Sequence, residues 1–292
     1  MGRMDMGAVR LSIRSRRGAG LTVGMTILVL GATGKSGRRV VARLRAEGVE
    51  VRAASRSGET RFDWTDRGTW AAAVQGVEAV YLVAPEDPEP IEAFVEEAVA
   101  AGVRRFVALS GRSMDKVVGR FAPGMAEGER AVQASGVGWT ILRANNFSQN
   151  FSEDVWSEPV EAGVLALPAG EVREPFVDLE DVAEVAAKVL TSAGHEGRAY
   201  DLSGPEAITF GEAVAAIAKV SGKAVSYVAV TPASYRAELV GIGLPGEVAD
   251  ELNELFAIMR EGYLTTPSDD IAELLGRPAG SFTAYVERTW AG

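Results

Sequence analysis

The sequence predicts an α/β fold in which a doubly wound parallel sheet carries a smaller C-terminal lid. Three observations support this prediction. From residue 25 onward, short apolar runs alternate with longer amphipathic stretches, which is typical of βαβ units. A glycine-rich segment lies between the first apolar run and the first amphipathic stretch. After about Asn150 the alternation loosens, and three prolines mark loops.

The apolar runs and the stretches of helical periodicity define the predicted elements in chain order. Strands are predicted at Thr26–Leu30, Val49–Ala54, Ala79–Val83, Arg105–Leu109, Trp139–Leu142 and Arg198–Leu202. Helices are predicted at Gly37–Glu47, Thr69–Val74, Ile91–Ala101, Glu127–Ser135, Val182–Leu190, Phe210–Val220, Ser234–Gly243, Glu247–Met259 and Ile271–Leu275. Gly48 and Gly102 provide C-terminal stops, and Asp178 and Thr209 provide N-caps.

Composition indicates a folded protein and excludes several kinds of partner. Of the 292 residues, 47% are hydrophobic and 24% are charged, which is enough apolar material for a sizeable core. A formal net charge of −10 argues against binding to the phosphate backbone of nucleic acids. With no cysteine and one histidine, disulfides and transition-metal sites are not expected. No apolar run approaches the ~20 residues that cross a bilayer, so we expect a cytoplasmic protein without membrane association.

The glycine-rich segment indicates a dinucleotide site. It reads Gly31-Ala32-Thr33-Gly34-Lys35-Ser36-Gly37. Glycines allow a sharp turn, close approach of a pyrophosphate and tight packing of the helix on the strand. The pyrophosphate then accepts hydrogen bonds from unpaired N–H groups at the helix start. The alternative is a tight turn that happens to be glycine-rich. A P-loop is excluded because its four-residue gap is absent between Gly31 and Gly34.

The end of the second strand favours NADP(H) over NAD(H). An NAD-binding chain usually places an acidic residue about 20 residues beyond the glycines to bind the ribose hydroxyls. Here the strand ends with Ser55 and Arg56. Arg56 can bind a 2′-phosphate through a charge-assisted, bidentate interaction, and Arg38 can add a second charge. The alternative for Arg56 is an ordinary solvated arginine.

Residues 1–24 differ from the rest of the chain. They carry a net charge of +4 and lack the apolar region of a signal peptide. We expect a disordered N-terminal extension, with a nucleic-acid-binding tail as the alternative. Residues 25–155 would then form the cofactor-binding core, and residues 156–292 the C-terminal cleft region, with some strands returning to the sheet.

Several segments together resemble the NmrA-like atypical short-chain dehydrogenases over about residues 25–290. They are the glycine loop, Arg56, Arg61-Phe62-Asp63-Trp64, Tyr81-Leu82-Val83-Ala84-Pro85, Arg105-Phe106-Val107-Ala108-Leu109-Ser110 and Trp139-Thr140-Ile141-Leu142-Arg143. The segments at residues 61–64 and 81–85 resemble most the subgroup that contains the ergot-alkaloid (festuclavine and agroclavine) dehydrogenases. The resemblance implies a Rossmann domain that binds NADP(H) under a C-terminal substrate-binding lid.

The resemblance also implies which residues touch the cofactor. Asp63 and Trp64 would flank the adenine, and Val83, Ala84 and Pro85 would line the ribose and nicotinamide side.

Further along the chain, Ser110 would face the cleft, and Asn145, Asn146 and Phe147 would border the nicotinamide. The expected cofactor-binding set is Gly31, Thr33, Gly34, Lys35, Ser36, Gly37, Arg38, Ser55, Arg56, Asp63, Trp64, Val83, Ala84, Pro85, Ser110, Asn145 and Phe147.

One part of the usual short-chain dehydrogenase chemistry is missing. Those enzymes carry Tyr-x-x-x-Lys on the helix before the strand Trp139–Leu142, and the lysine lowers the pKa of the tyrosine that protonates the product. Here Met125 and Glu129 stand at the two positions. Substrates that need no strong acid are therefore favoured, namely iminium ions and other C=N compounds, quinones and conjugated carbonyls.

No catalytic residue follows from the sequence, and the candidates are Ser110, Met125, Glu129 and Asn146. We expect Glu129 and Asp178 at helix surfaces or caps, with stabilisation of a substrate cation as the alternative.

Two hypotheses about function follow. The first is an NADP(H)-dependent oxidoreductase of secondary metabolism, a homodimer that acts on a small molecule. The alternative is a non-catalytic NADP-binding redox sensor of the NmrA type with a protein partner. The long apolar C-terminal region favours the enzyme because it can enclose a small molecule.

Overall fold

A computed structural model describes residues 24–117 and 119–291, so the extension expected before residue 24 lies outside the described residues. The described strands are β1 (Thr26–Leu30), β2 (Glu50–Ser55), β3 (Thr60–Arg61), β4 (Ala79–Val83), β5 (Arg105–Gly111), β6 (Gly138–Ala144), β7 (Val164–Leu167), β8 (Arg173–Glu174), β9 (Arg198–Leu202), β10 (Ile208–Thr209) and β11 (Ser226–Ala229). The described helices are α1 (Lys35–Ala46), α2 (Trp70–Val74), α3 (Ile91–Ala100), α4 (Pro123–Ala134), α5 (Asn150–Glu153), α6 (Ser157–Ala162), α7 (Leu179–Thr191), α8 (Phe210–Ser221), α9 (Pro232–Gly241), α10 (Gly246–Arg260), α11 (Asp270–Leu275) and α12 (Phe282–Trp290).

Seven of these strands form one parallel sheet in the order β3-β2-β1-β4-β5-β6-β9. The direction of strand progression reverses between β1 and β4, and in such sheets ligands bind in the crevice at that point. Helices cover both faces, which is why the central strands are buried and read as apolar runs. The α/β fold class predicted from the sequence is therefore confirmed.

The two faces of the sheet carry separate hydrophobic cores. Helices α1, α7 and α11 contribute to the core on one face, and α2, α3 and α4 contribute to the core on the other. Helix α7 and strand β9 come from beyond residue 155 and belong to the sheet layer. A domain boundary at residue 155 stays a prediction.

The lid has a third core of its own, which is rich in aromatic residues. Phe151 lies edge-on to Trp156 and Phe176, with ring centroids 4.9 and 5.2 Å apart. Helices α8, α10 and α12 enclose this core, and β11 pairs with β7 beside it. Edge-to-face aromatic pairs add stabilisation beyond their buried area. The lid is thus a packed unit that sits over the carboxyl edge of the sheet.

Most predicted elements are present, with ends shifted by local chemistry. The Asp178 carboxylate accepts the Glu180 N–H and caps a helix that begins at Leu179, and Thr209 forms a capping box with Glu212. Helix α4 begins at Pro123 instead of Glu127 because proline suits the first helical turn. Helices α5, α6 and α12 were not predicted. Within the described ranges, no helix is long and apolar enough to cross a membrane.

Candidate cofactor and substrate cleft

A cleft of about 500 Å³ opens at the carboxyl edge of the sheet, between the glycine loop and the lid. The residues predicted from the sequence that line it are Gly31, Gly34, Lys35, Ser36, Val83, Ser110, Met125, Asn145, Asn146 and Phe147. Further residues, mostly apolar, were not singled out: Leu109, Gly111, Arg112, Met114, Val117, Phe121, Ala144, Asn150, Asp154, Leu255, Ile258 and Leu264.

The glycine loop has the backbone geometry that phosphate binding requires. Gly31 has a positive φ of 64°, and the Gly34 N–H donates to the Gly31 carbonyl at 2.8 Å. A Cβ at Gly37 would lie 2.2 Å from that same carbonyl oxygen, so only glycine fits there. In the part of the chain that the structure describes, no side chain caps α1, whose first N–H groups have no partner within the helix. The loop therefore leaves a helix N-terminus open toward the cleft, where it favours an anion.

The cations at the start of α1 are paired with α5 and the residue that follows it. The Lys35 ammonium donates to the Asn150 Oδ1 at 2.7 Å and contacts Asp154. The Arg38 guanidinium contacts Glu153, so Arg38 bonds an acid of the lid and does not line the cleft. These contacts hold the glycine loop against the lid.

The residues predicted around the adenosine lie at the edge of the sheet beyond the cleft. Arg56 is exposed, and Ser55 is buried with a hydroxyl that has no partner among the described residues. The pKa of Asp63 lies below its ordinary value because the N–H and hydroxyl of Thr65 donate to its carboxylate, with a smaller contribution from Arg56. Trp64 packs edge-on against Phe62, with ring centroids 5.1 Å apart, and is only partly exposed. Their contact with a cofactor stays a prediction.

Several other predicted residues do not line the cleft. Thr33 is exposed on the loop, and Gly37 is buried beneath it. Ala84 and Pro85 lie against α4: a Cβ at Gly128 would be 3.4 Å from the Ala84 Cβ, and one at Gly124 would be 1.8 Å from the Pro85 carbonyl oxygen. Of the three residues expected on the nicotinamide side at the end of β4, only Val83 contributes to the cleft wall.

Glu129 lies inside the protein, so its expected place on a helix surface or cap was wrong. Its carboxylate accepts the Ser110 hydroxyl at 2.6 Å and the Arg143 guanidinium at 2.7 and 3.0 Å. Ser110 lines the cleft, whereas Glu129 lies behind it. Asp178 does cap α7, as predicted, and it also contacts Gln149 and Arg288. Met125 lines the cleft as an apolar residue that cannot hold a proton.

A fully buried carboxyl group, Glu174, supports the two asparagines of the cleft wall. Its Oε1 accepts the Asn145 side-chain amide at 2.6 Å and the Asn146 N–H at 3.2 Å, while its Oε2 has no partner among the described residues. Asn145 in turn accepts from the Arg112 guanidinium at 2.9 Å. Burial raises the pKa of Glu174 to about 7. Neither Glu174 nor Arg112 could be identified from local sequence, because only the folded chain brings them to Asn145.

Glu174→Gln is expected to flatten the pH dependence of stability. The native carboxyl holds its proton up to about pH 7, whereas the unfolded one loses it near 4.5. The contribution of Glu174 to the wild-type free energy of unfolding should therefore be highest below pH 4.5. It should fall by roughly 3 kcal/mol as the pH rises to about 7. Glutamine keeps the acceptor oxygen but does not titrate.

Urea unfolding at several pH values between these limits checks this expectation. Glu171→Gln removes the same charge at an exposed position and serves as the control. If the Glu174→Gln and wild-type curves run parallel, the proton is not held by Glu174.

The order of the sheet and the glycine loop at its reversal define the class of Rossmann-type dinucleotide-binding proteins. The chain belongs to the NmrA-like family, whose model matches residues 24–275. The resemblance seen in the sequence is therefore confirmed.

Individual relatives extend along nearly the whole chain. It is 32% identical over 281 residues to the NAD(P)H azoreductase of Xenophilus azovorans, which covers 89% of this chain and 96% of the relative. It is 30% identical to festuclavine dehydrogenase of Aspergillus fumigatus, covering 90% and 97% of the two chains. A solved NADPH-dependent quinone oxidoreductase from Escherichia coli, complexed with NADPH, has a TM-score of 0.74 at 27% identity and covers 90% and 99%.

Proposed function

We propose that this protein is an NADPH-dependent oxidoreductase that reduces an iminium or other C=N compound, a quinone or a conjugated carbonyl. One observation carries the proposal: a single cleft joins a helix N-terminus suited to a pyrophosphate with an apolar chamber under the lid. The named reductases and dehydrogenases among its relatives support the same activity class. A cytoplasmic location, a homodimer and a place in secondary metabolism stay predictions.

The described residues fit a phosphorylated dinucleotide. Gly37 lets the glycine loop pack directly on α1, where a Cβ would clash with the Gly31 carbonyl, and the start of α1 offers N–H donors for the pyrophosphate. Arg56 would bind the 2′-phosphate just after β2, which ends at Ser55, whose hydroxyl has no partner among the described residues. Asn146 and Phe147 would lie beside the nicotinamide. When bound, NADPH supplies a hydride, that is, two electrons and a hydrogen nucleus.

The chain's own residues would then orient the substrate and exclude water. Met114, Phe121 and Ile258 form part of the apolar wall. The Arg112 guanidinium also lines the cleft and can donate to an oxygen that becomes negative when a quinone or carbonyl is reduced. Water then supplies the proton for that oxygen, whereas an iminium ion becomes neutral on accepting a hydride and needs no proton. Proximity and orientation in the closed cleft would provide most of the rate enhancement.

The loss of reduced-nicotinamide absorbance with a panel of quinones, imines and conjugated carbonyls tests this function. We expect NADPH oxidation with at least one class and stronger activity than with NADH. Tight binding of NADP without turnover of any panel member would contradict the enzyme and favour the redox sensor.

Arg56→Glu is expected to weaken NADPH binding by about 1.5–3 kcal/mol or more, the contribution of a charged hydrogen bond. NADH binding should change less, because NADH has no 2′-phosphate. Calorimetry with both dinucleotides measures the difference. The control is Arg198→Glu, which makes the same charge change at the exposed start of β9, at the opposite end of the sheet. Equal losses for NADPH and NADH would contradict the role of Arg56.

A further inference from the structure

The Ser110 hydroxyl donates its single proton to a carboxylate inside the protein. A serine hydroxyl has one proton and two lone pairs. The proton of Ser110 points to the Glu129 Oε1 at 2.6 Å, which is the length of a strong bond from a hydroxyl to a carboxylate. Ser110 also lines the cleft at the end of β5. What this residue can offer a bound molecule is therefore set by Glu129.

Glu129 cannot readily turn away from Ser110. Arg143 holds both of its carboxylate oxygens, at 3.0 and 2.7 Å, and the whole residue is only 7% exposed. Gly128 brings α4 so close to β4 that a Cβ there would lie 3.4 Å from the Ala84 Cβ. If Ser110 turned its proton into the cleft, a buried carboxylate would lose a charge-assisted hydrogen bond. Ser110 therefore keeps its proton on Glu129.

We propose that the cleft recognises a hydrogen-bond donor at Ser110, an N–H group of the bound cofactor or substrate, and disfavours a carbonyl oxygen there. This inference rests on the proposed NADPH-dependent function. An approaching carbonyl oxygen would face the lone pairs of Ser110, whereas an N–H group would complete its hydrogen bonds. Glu129 stands where ordinary short-chain dehydrogenases have a lysine, and its carboxylate takes the proton of the neighbouring hydroxyl.

Among its polar residues, the cleft thus has two whose hydrogen-bonding roles are opposite. Arg112 is a donor held by Asn145, and Ser110 is an acceptor held by Glu129. A carbonyl or quinone oxygen would be oriented toward Arg112, and an N–H group toward Ser110. Two molecules can supply that N–H group: the nicotinamide, through its carboxamide, and a protonated imine substrate.

Ser110→Ala distinguishes these sources in the full-length protein. The first measurement is calorimetric binding of NADP and of its acetylpyridine analogue, in which a methyl ketone replaces the carboxamide. The second is kcat/KM for protonated dihydroisoquinoline, for its N-methyl counterpart and for a naphthoquinone. Ser203→Ala is the matched control, because Ser203 is equally buried but lies outside the cleft wall.

Two results would support the proposal, and each identifies one source. If the carboxamide is the donor, Ser110→Ala weakens NADP binding by roughly tenfold or more and leaves binding of the acetylpyridine analogue unchanged. If the substrate is the donor, Ser110→Ala lowers kcat/KM by a similar factor for the protonated imine and leaves the N-methyl compound and the quinone unchanged.

Other results would overturn it. If Ser110→Ala affects NADP and its acetylpyridine analogue equally, and the protonated imine and its N-methyl counterpart equally, Ser110 has no role in recognising an N–H group. If it selectively impairs quinone reduction, Ser110 acts as a donor. Absence of turnover in the wild-type protein would count against the proposed enzyme activity. The calorimetric comparison would then decide the role of Ser110 alone.

Discussion

Gly37→Ala is expected to weaken NADPH binding by roughly 100-fold, or about 3 kcal/mol. The added Cβ would lie 2.2 Å from the Gly31 carbonyl oxygen and 2.7 Å from its carbonyl carbon. Both are backbone atoms, so the clash cannot be relieved by a side-chain rotation. The loop must move away from α1, and hydrogen bonds from the helix N–H groups to the pyrophosphate would be lost. Calorimetric titration with NADPH measures the loss.

The control for this substitution is Gly241→Ala, which also introduces a methyl group into a helix. A Cβ at Gly241 meets no atom within 4 Å, so it should leave cofactor binding unchanged. Circular dichroism would establish that the Gly37→Ala protein is folded. Unchanged affinity in a folded Gly37→Ala protein would contradict the assignment of the glycine loop as the pyrophosphate site.

Gly37 could be identified from the sequence because its role is local. The strand before it, the helix after it and the spacing to Gly31 all lie within a few residues, and these short-range signals specify the turn. The same reasoning predicted six of the seven strands of the parallel sheet, all but β3, and the N-caps Asp178 and Thr209. Where residues adjacent in sequence decide the conformation, the sequence alone was sufficient to predict it.

Residues whose role depends on contacts far apart in the chain could not be predicted in this way. Glu174 bonds Asn145 and Asn146 from a short strand of the lid, and nothing in its own neighbourhood marks it as buried. Pro85 was expected beside the cofactor, but it is absent from the cleft wall, and its carbonyl oxygen lies against Gly124 of α4. The absence of the Tyr-x-x-x-Lys pair could be read from the sequence, whereas the pairing of Glu129 with Arg143 could not.

Arg143→Met is expected to lower the free energy of unfolding by about 3–5 kcal/mol, the usual result of leaving one charge of a buried pair unpaired. The Glu129 carboxylate would keep only the Ser110 hydroxyl and would remain nearly excluded from solvent. The ion pair of Arg143 with Asp115 adds little, because the Asp115 side chain is half exposed. Urea unfolding followed by tryptophan fluorescence measures the change.

The double variant Glu129→Leu/Arg143→Met separates the loss of pairing from the loss of packing. Two apolar side chains of similar volume leave no buried charge, so this variant should recover most of the stability that Arg143→Met loses. Arg130→Met is the control, because it removes an exposed arginine of α4 that pairs with Glu127 and Glu92, and it should change stability little. If the double variant were less stable than Arg143→Met, the pair would contribute mainly through the shape of its side chains. The polarity that Glu129 imposes on Ser110 would then have to be maintained by something other than this buried charge.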